Sequence, residues 1–341
     1  MPMPQIEQTL QPHRLSIIIP MYNEAENVAP MVDCIHEALA VYRHPWEMIL
    51  INDGSSDATE DRMRAVTQDY GAHVRIITLQ RNFGQTAALQ AGIDAARGDV
   101  IATLDGDLQN DPHDIPRMVK RLLEEELDLV AGWRMSRNDT LIRKIPSVIA
   151  NRLIAGITNV HLHDYGCTLK VYRAHVIKGV RLYGDMHRFI PAWIASTTSR
   201  SRIKEEVVNH HARKYGKSKY GLSRTYRVLL DLLSVYFFMR FSSRPGHFFG
   251  RIGLLFGTMG ALALGYLFIV KFFLGEDIGN RPLLIIGVLC VVMSVQFLTT
   301  GVLSELVART YFESSDNKAY IARNPKSIDE VSDSDWKYPA E

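Results

Sequence analysis

Short apolar runs alternate with amphipathic stretches over the first two thirds of the chain. Leu15–Ile19 is an apolar run closed by Pro20 and reads as a buried first strand. Helical spacing of apolar positions follows the Asn23-Glu24 pair and continues through Ala40. A second strand runs from Glu47 to Ile51, and Asn52-Asp53-Gly54-Ser55-Ser56-Asp57 breaks it. Ser56 or Asp57 offers a cap for a helix reaching Tyr70. Val74–Leu79 is a third strand and Gly84–Ala96 a helix, which Gly98 ends before the β-branched run Asp99–Leu104. A helix over Ile115–Glu125 and strands at Leu129–Gly132 and Thr168–Tyr172 continue the alternation. The pattern predicts an α/β fold: a mainly parallel sheet with helices on both faces, its ligand at the carboxyl ends of the strands.

Beyond residue 250 the pattern changes. Ile252–Leu274 carries one charge, Lys271, near its end, and Leu283–Leu303 carries none. Each is about twenty residues or longer, enough to cross a hydrocarbon layer of roughly 30 Å. The short segment Gly275–Pro282 makes them a hairpin. Thr225–Phe241 has helical apolar spacing but is too short and polar to span, and reads as an interfacial amphipathic helix. Arg240, Arg244 and Arg251 precede the first span, whereas the connecting loop holds Glu276, Asp277 and Arg281. The positive-inside rule then places the N-terminal domain and both termini in the cytoplasm. The expected division is a polar N-terminal extension (1–14), a cytoplasmic domain (15–222), an interfacial region (223–250), two spans (251–310) and a polar, disordered tail (311–341). Residues 1–14 lack the apolar core of a signal peptide.

Composition narrows the function classes. A net charge of +2 gives no global field for nucleic acid. Cys34, Cys167 and Cys290 are scattered without disulfide or metal-ligand spacing, as in a reducing compartment. No glycine fingerprint follows the first strand and no P-loop lysine is present, which disfavours nicotinamide enzymes and ATPases.

The chemistry concentrates at strand ends. Asp105-Gly106-Asp107 follows the fourth strand, and the small residue between the acids lets the backbone turn so that both face one hard cation, Mg²⁺ or Mn²⁺. Gln109 adds a carbonyl oxygen. The neighbouring loops carry Tyr22, Glu24, Asp53 and Arg81; each alone is ordinary loop polarity, and their convergence on one sheet edge is the signal. Arg134, Arg137, Arg143, Lys144 and Arg152 form a basic series, readable as a solvated face or as an anion site. His161-Leu162-His163-Asp164 looks like a metal cluster, but its spacing suits a loop better. The run Arg213-Lys214-Tyr215-Gly216-Lys217-Ser218-Lys219 fits a loop near phosphate or beside anionic lipid, not nucleic acid.

Pro20-Met21-Tyr22-Asn23-Glu24, Asn52-Asp53-Gly54-Ser55-Ser56-Asp57, Arg81-Asn82-Phe83-Gly84 and Asp105-Gly106-Asp107-Leu108-Gln109 together resemble family-two glycosyltransferases of GT-A fold. The likeness covers residues 14–310 and is strongest to the group that glycosylates polyprenyl phosphates, such as dolichyl-phosphate mannose synthases and undecaprenyl-phosphate sugar transferases. Asn52 departs from the aspartate of many relatives. The resemblance implies that Pro20, Tyr22, Glu24, Asp53 and Arg81 hold a nucleotide sugar, and that Asp105, Asp107 and Gln109 hold the metal and diphosphate. It further implies that Arg134, Arg143 and Ser147 take the acceptor lipid phosphate, with Arg213 and Lys219 folding over it. Asp185 would contact sugar or acceptor, and Asp164-Tyr165-Gly166-Cys167 would underlie the sugar pocket. The implied activity is inverting, metal-dependent transfer of a hexose, on frequency glucose from UDP-glucose, to undecaprenyl or dolichyl phosphate for cell-surface glycan modification. A homo-oligomer is compatible with this. The alternatives are a processive polysaccharide synthase, whose Gln-x-x-Arg-Trp signature is missing, and a catalytically silent membrane scaffold, against which the intact acid pair argues.

Overall fold

The computed structural model describes residues 12–135, 155–156, 160–182, 184, 186–213 and 245–313. The described residues divide into two compact units, one holding those up to residue 213 and the other residues 245–313.

In the first unit, the described residues form a seven-stranded sheet of order β3-β2-β1-β4-β6-β5-β7. β1 (Leu15–Met21), β2 (Trp46–Asn52), β3 (Val74–Thr78) and β4 (Val100–Thr103) are mutually parallel. β5 (Leu129–Trp133) runs parallel to β7 (Ile203–Val207), and β6 (Lys170–Arg173) is antiparallel to both β4 and β5. The expected mainly parallel sheet is therefore present. The reversed β6 and the final strand β7 are the features that apolar pattern alone did not supply.

Helices α1 (Val28–Ala38), α2 (Thr59–Tyr70), α3 (Gln85–Ala95) and α4 (Asp114–Glu124) connect the strands. The short helices α5 (Ala174–Lys178) and α6 (Ile190–Thr197) follow β6, with a 3₁₀ turn at Met186–Phe189 leading into α6. The residue at the N-cap of α2 is Ala58, not the expected Ser56 or Asp57, although Asp57 accepts the Thr59 N–H at 3.0 Å. Leu15, Ile17, Ile18 and Ile19 of β1 and Met48, Ile49, Leu50 and Ile51 of β2 are completely buried, as strands covered on both faces must be.

Glu47 sits among them without exposure and is satisfied in full. It accepts from Ser16 Oγ at 2.7 Å, Arg75 Nη1 at 2.7 Å and the Arg97 N–H at 2.8 Å. A buried carboxylate is tolerated only when so paired, and here it ties β1, β2, β3 and the end of α3 together.

The second unit is a hairpin of two long helices, α7 (Pro245–Phe272) and α8 (Pro282–Glu313). Both begin before the apolar spans read from sequence, and α8 ends well after its span; charged flanks mark where apolarity stops, not where the backbone stops being helical. Gly253, Gly257 and Gly260 line the seam. A Cβ on Gly257 would lie 2.7 Å from Ser294 Oγ, and one on Gly260 would lie 2.8 Å from Val291 Cγ2. Small residues allow this close helix contact. Leu254, Leu262, Phe272, Ile285, Val302 and Leu306 are exposed on the outer faces. Both helices are long and apolar enough to cross a membrane. The expected interfacial helix at 225–241 lies outside the described residues.

Candidate active site

Parallel strands deliver their loops to one edge of the sheet. The antiparallel β6 delivers its entry, residues 164–169, to that same edge. Register fixes this: Thr103 pairs with Lys170, so Asp105, just past the end of β4, lies beside Thr168. Thr168's hydroxyl bonds the Asp105 carboxylate, and Gln85 at the start of α3 donates to Asp105 Oδ1 at 2.6 Å.

The turn between the acids is built differently from the sequence expectation. The left-handed residue is Leu108, at φ 59°, one position after Asp107. Gly106 is required for space: a Cβ there would lie 2.6 Å from Met21 Cγ and 3.3 Å from the Pro20 carbonyl. Thus Pro20 and the acid loop are in direct proximity. Gly54 has both constraints, φ 64° and an approach of 2.3 Å between its would-be Cβ and the Arg81 carbonyl carbon.

Burial, then the charge of Asp107, pushes Asp105 up to about 6 despite the Thr168 bond and the cations Arg134 and Lys170. Asp107 is also raised by burial, partly offset by the Gln109 N–H and by Arg213 and Arg134. Two desolvated carboxylates that repel each other form a site short of positive charge. Their oxygens are the hard donors that Mg²⁺ or Mn²⁺ takes, so the residues fit such an ion. Gln109 donates its backbone N–H to Asp107 Oδ1 at 3.2 Å, which keeps it on the same loop.

Arg134, immediately after β5, is gripped by Asp164. Its Nε and Nη2 donate to the two carboxylate oxygens at 2.7 and 3.0 Å, with side-chain exposures of 13% and 10%. Burial pulls the guanidinium's pKa down, but the Asp164 bonds more than offset this and hold it firmly protonated. Nη1 has no partner among the described residues. The charge of Arg134 reaches both Asp105 and Asp107.

Glu24 forms an ion pair with Arg213 and accepts from Asn27 Nδ2 at 2.5 Å, joining the loop after β1 to the chain leaving β7. Asp53 is 3% exposed, and its oxygens accept the N–H groups of Phe83 at 2.8 Å and Gly84 at 2.9 Å. Burial nevertheless raises its pKa. Asp53 therefore shapes the Arg81–Gly84 loop in this conformation. Arg81 is exposed and lies 4.3 Å from the centroid of the Phe83 ring. Tyr22 is half-buried beyond β1. Asn52 explains itself: Oδ1 accepts the Ser55 N–H at 2.9 Å while Nδ2 donates to Glu60 at 3.3 Å, which an aspartate could not do.

The structure thus gathers Pro20, Glu24, Asp105, Asp107, Gln109, Arg134 and Arg213, and connects Asp53 and Arg81 through one loop. Arg143, Ser147, Asp185 and Lys219 lie outside the described residues. In the His161–Asp164 segment, His163 stacks on Trp133, with centroids 4.2 Å apart, and bonds Glu205, while Asp164 serves Arg134.

Sequence reading missed Lys170. It is completely buried in β6 and donates to the Cys167 carbonyl, and its charge acts on Asp105. Burial lowers its pKa, with Asp164 and Asp105 opposing. Its one sequence signal was a lysine inside a strand flanked by Leu169 and Val171, where an apolar residue is usual.

Residues 16–181 match glycosyl transferase family 2. Over 315 residues the chain is 56% identical to the dodecaprenyl-phosphate galacturonate synthase of Rhizobium johnstonii, covering 92% of this chain and 93% of that protein. The chain belongs to the polyprenyl-phosphate glycosyltransferases of family 2. A further relative is the undecaprenyl-phosphate 4-deoxy-4-formamido-L-arabinose transferase of Yersinia pestis, 33% identical over 299 residues, with 87% of this chain and 89% of that protein covered. Among solved structures, glucosyl-3-phosphoglycerate synthase from Mycobacterium tuberculosis, in complex with Mn²⁺, UDP and its glucosylated product, superposes with a TM-score of 0.52 at 19% identity, over 65% of this chain and 80% of that one. That likeness concerns the fold of this glycosyltransferase, the GT-A arrangement anticipated from its motifs.

Proposed function

We propose that this glycosyltransferase moves a galacturonosyl group from a nucleotide diphosphate to a polyprenyl phosphate at the cytoplasmic face of the cell inner membrane. The observation that carries the reading is the charge arrangement at the sheet edge: two under-compensated acids beside an arginine whose Nη1 has no partner among the described residues. The sugar assignment rests on the galacturonate named for the Rhizobium relative, and it replaces glucose, the expectation drawn from frequency alone.

In this reading the nucleotide rests on Pro20, Tyr22, Glu24, Asp53 and Arg81. Asp105, Asp107 and Gln109 hold Mg²⁺ or Mn²⁺, which when bound offsets charge on the diphosphate leaving group. The acceptor phosphate oxygen attacks the anomeric carbon as the bond from that carbon to the diphosphate oxygen breaks, inverting the centre. Phosphate is already anionic near neutral pH, so no strong base is needed. Arg134 presents Nη1 to the acceptor phosphate while Asp164 fixes the other two nitrogens, a contribution of orientation and proximity. Arg143, Ser147, Arg213 and Lys219 complete the phosphate grip, and Asp185 meets the sugar or acceptor. For Arg213 this requires release from Glu24. The domain reading assigns 15–222 to catalysis, 223–250 to the interface and 251–310 to the two spans, with both termini cytoplasmic.

Membranes carrying the protein are incubated with uridine and guanosine diphosphate sugars, uronic and neutral, together with polyprenyl phosphate, and the lipid product is weighed by mass spectrometry. A polyprenyl-phosphate hexuronate is expected, dependent on Mg²⁺ or Mn²⁺ and lost in Asp107→Ala. Equal or better transfer of glucose overturns the sugar assignment, and near-normal transfer by a folded Asp107→Ala overturns the role of the acid pair.

A further inference from the structure

Two segments of the first unit bring metal-ligating atoms to one surface point next to the acid loop, and a third lies against them. Cys34 is half-buried on α1, between Met31 and Ile35, whose burial fixes the rotation of that helix. Asp111 and His113 lie on the loop between the acid pair and α4. Cys34 Sγ, a carboxylate oxygen of Asp111 and a ring nitrogen of His113 all fall within 4.8 Å of one another. His211, on the chain leaving β7, stands outside that three-way group but brings a second imidazole against it: its Nε2 is 3.3 Å from Asp111 Oδ2. The other oxygen, Asp111 Oδ1, meets His113 Nδ1 at 2.8 Å and accepts the His113 N–H at 3.0 Å. The His211 N–H donates to the Gln109 carbonyl at 2.8 Å, and Asn110 bridges to His210, so backbone contacts hold the Asp111–His113 loop and the chain after β7 together without any ion.

We infer that Cys34, Asp111, His113 and His211 form a zinc site, separate from the acid pair in place and in chemistry. One thiol, one carboxylate and two imidazoles make the mixed sulfur, nitrogen and oxygen set that tetrahedral Zn²⁺ takes. The oxygen-only pair Asp105 and Asp107 suits a harder ion. On binding, the Cys34 thiol loses its proton to solvent, both imidazoles bind as neutral rings, and the carboxylate exchanges its histidine contacts for the metal. The ion fastens α1 to the loop that begins at Asp105 and to the chain that runs on to Arg213. It is a brace for two walls of the active site and takes no part in transfer.

The test uses the full chain in detergent, stripped of metal and kept in excess Mg²⁺ so that the acid pair is occupied. Cobalt is the probe and zinc the competitor. The wild type is expected to bind one Co²⁺ with a tetrahedral visible spectrum and a thiolate-to-cobalt band. Zinc should abolish both and raise the melting temperature. Cys34→Ser is expected to lose the thiolate band, and both Cys34→Ser and His113→Ala to weaken zinc binding at least about tenfold, with far-ultraviolet circular dichroism unchanged. His113 is exposed, so its truncation keeps the question answerable even if Cys34→Ser folds poorly. Absence of the thiolate band in wild type, or zinc binding of wild-type strength in His113→Ala, overturns the assignment.

Discussion

Replacing Asp105 by asparagine stabilises the metal-free protein at neutral pH. The carboxylate is pushed from 3.8 up to about 6 in the folded chain, first by burial and then by Asp107. A group whose folded value lies above its unfolded one lends stability that is fully present below the unfolded value and is lost as pH rises through the folded one. The relevant window is therefore pH 4 to 6. A shift of about two units, at about 1.4 kcal/mol each, amounts to roughly 3 kcal/mol of lost stability above pH 6. Asparagine does not ionise, and its side-chain oxygen still accepts from Gln85. With chelator present, wild type and Asp105→Asn should melt together near pH 4. The variant should melt about 6–12 °C higher at pH 7.5, taking about 2–4 °C per kcal/mol for a domain of this size. Differential scanning fluorimetry of the detergent-solubilised chain reads both curves. Saturating Mn²⁺ should close the gap from the wild-type side. If the two proteins melt together at pH 7.5 in chelator, the acids do not strain the fold and the argument for a cation there loses its physical basis.

The Arg134–Asp164 pair predicts a sharp non-additivity. Arg134→Ala leaves a nearly buried carboxylate alone and should cost about 3–5 kcal/mol, whereas adding Asp164→Ala to it should recover much of that loss; equal melting of the single and double variants would refute the pairing. Asn52→Asp places a second carboxylate at 3.3 Å from Glu60 and should cost about 1–3 kcal/mol through the lost donor. Glu60→Gln in that background should restore the melting temperature, and its failure to do so would mean that position 52 is constrained by something else.

What could be read from the chain follows from locality. The acid pair at a strand end, the α/β alternation and the apolar hairpin each sit within one short window, so period and turn chemistry disclose them. Lys170 and Glu47 were illegible as buried charges, since burial of a charge depends on partners far along the chain: Ser16, Arg75 and Arg97 for Glu47, the Cys167 carbonyl for Lys170. The reversed direction of β6 leaves no trace in its four residues either, yet it decides that Thr168 and Asp164 reach the site. Gly106 was visible as a small residue but assigned the wrong reason, because the side chain it makes room for, Met21, belongs to another strand. Cys34 gave no hint of a ligand role, as its companions come from the loop before α4 and the chain after β7.

The helical hairpin has a dimensional consequence. At 1.5 Å per residue, the 28 residues of α7 and the 32 of α8 extend about 42 and 48 Å, against a hydrocarbon slab of roughly 30 Å. Upright, each helix overshoots the oily layer by about two turns or more. The surplus on α8 falls past Ser304, where Glu305, Arg309 and Glu313 enter the sequence. A pair so long can lean in a thin bilayer or stand straight in a thick one and still match it, with the excess emerging as a stiff stalk on the side from which α7 sets out.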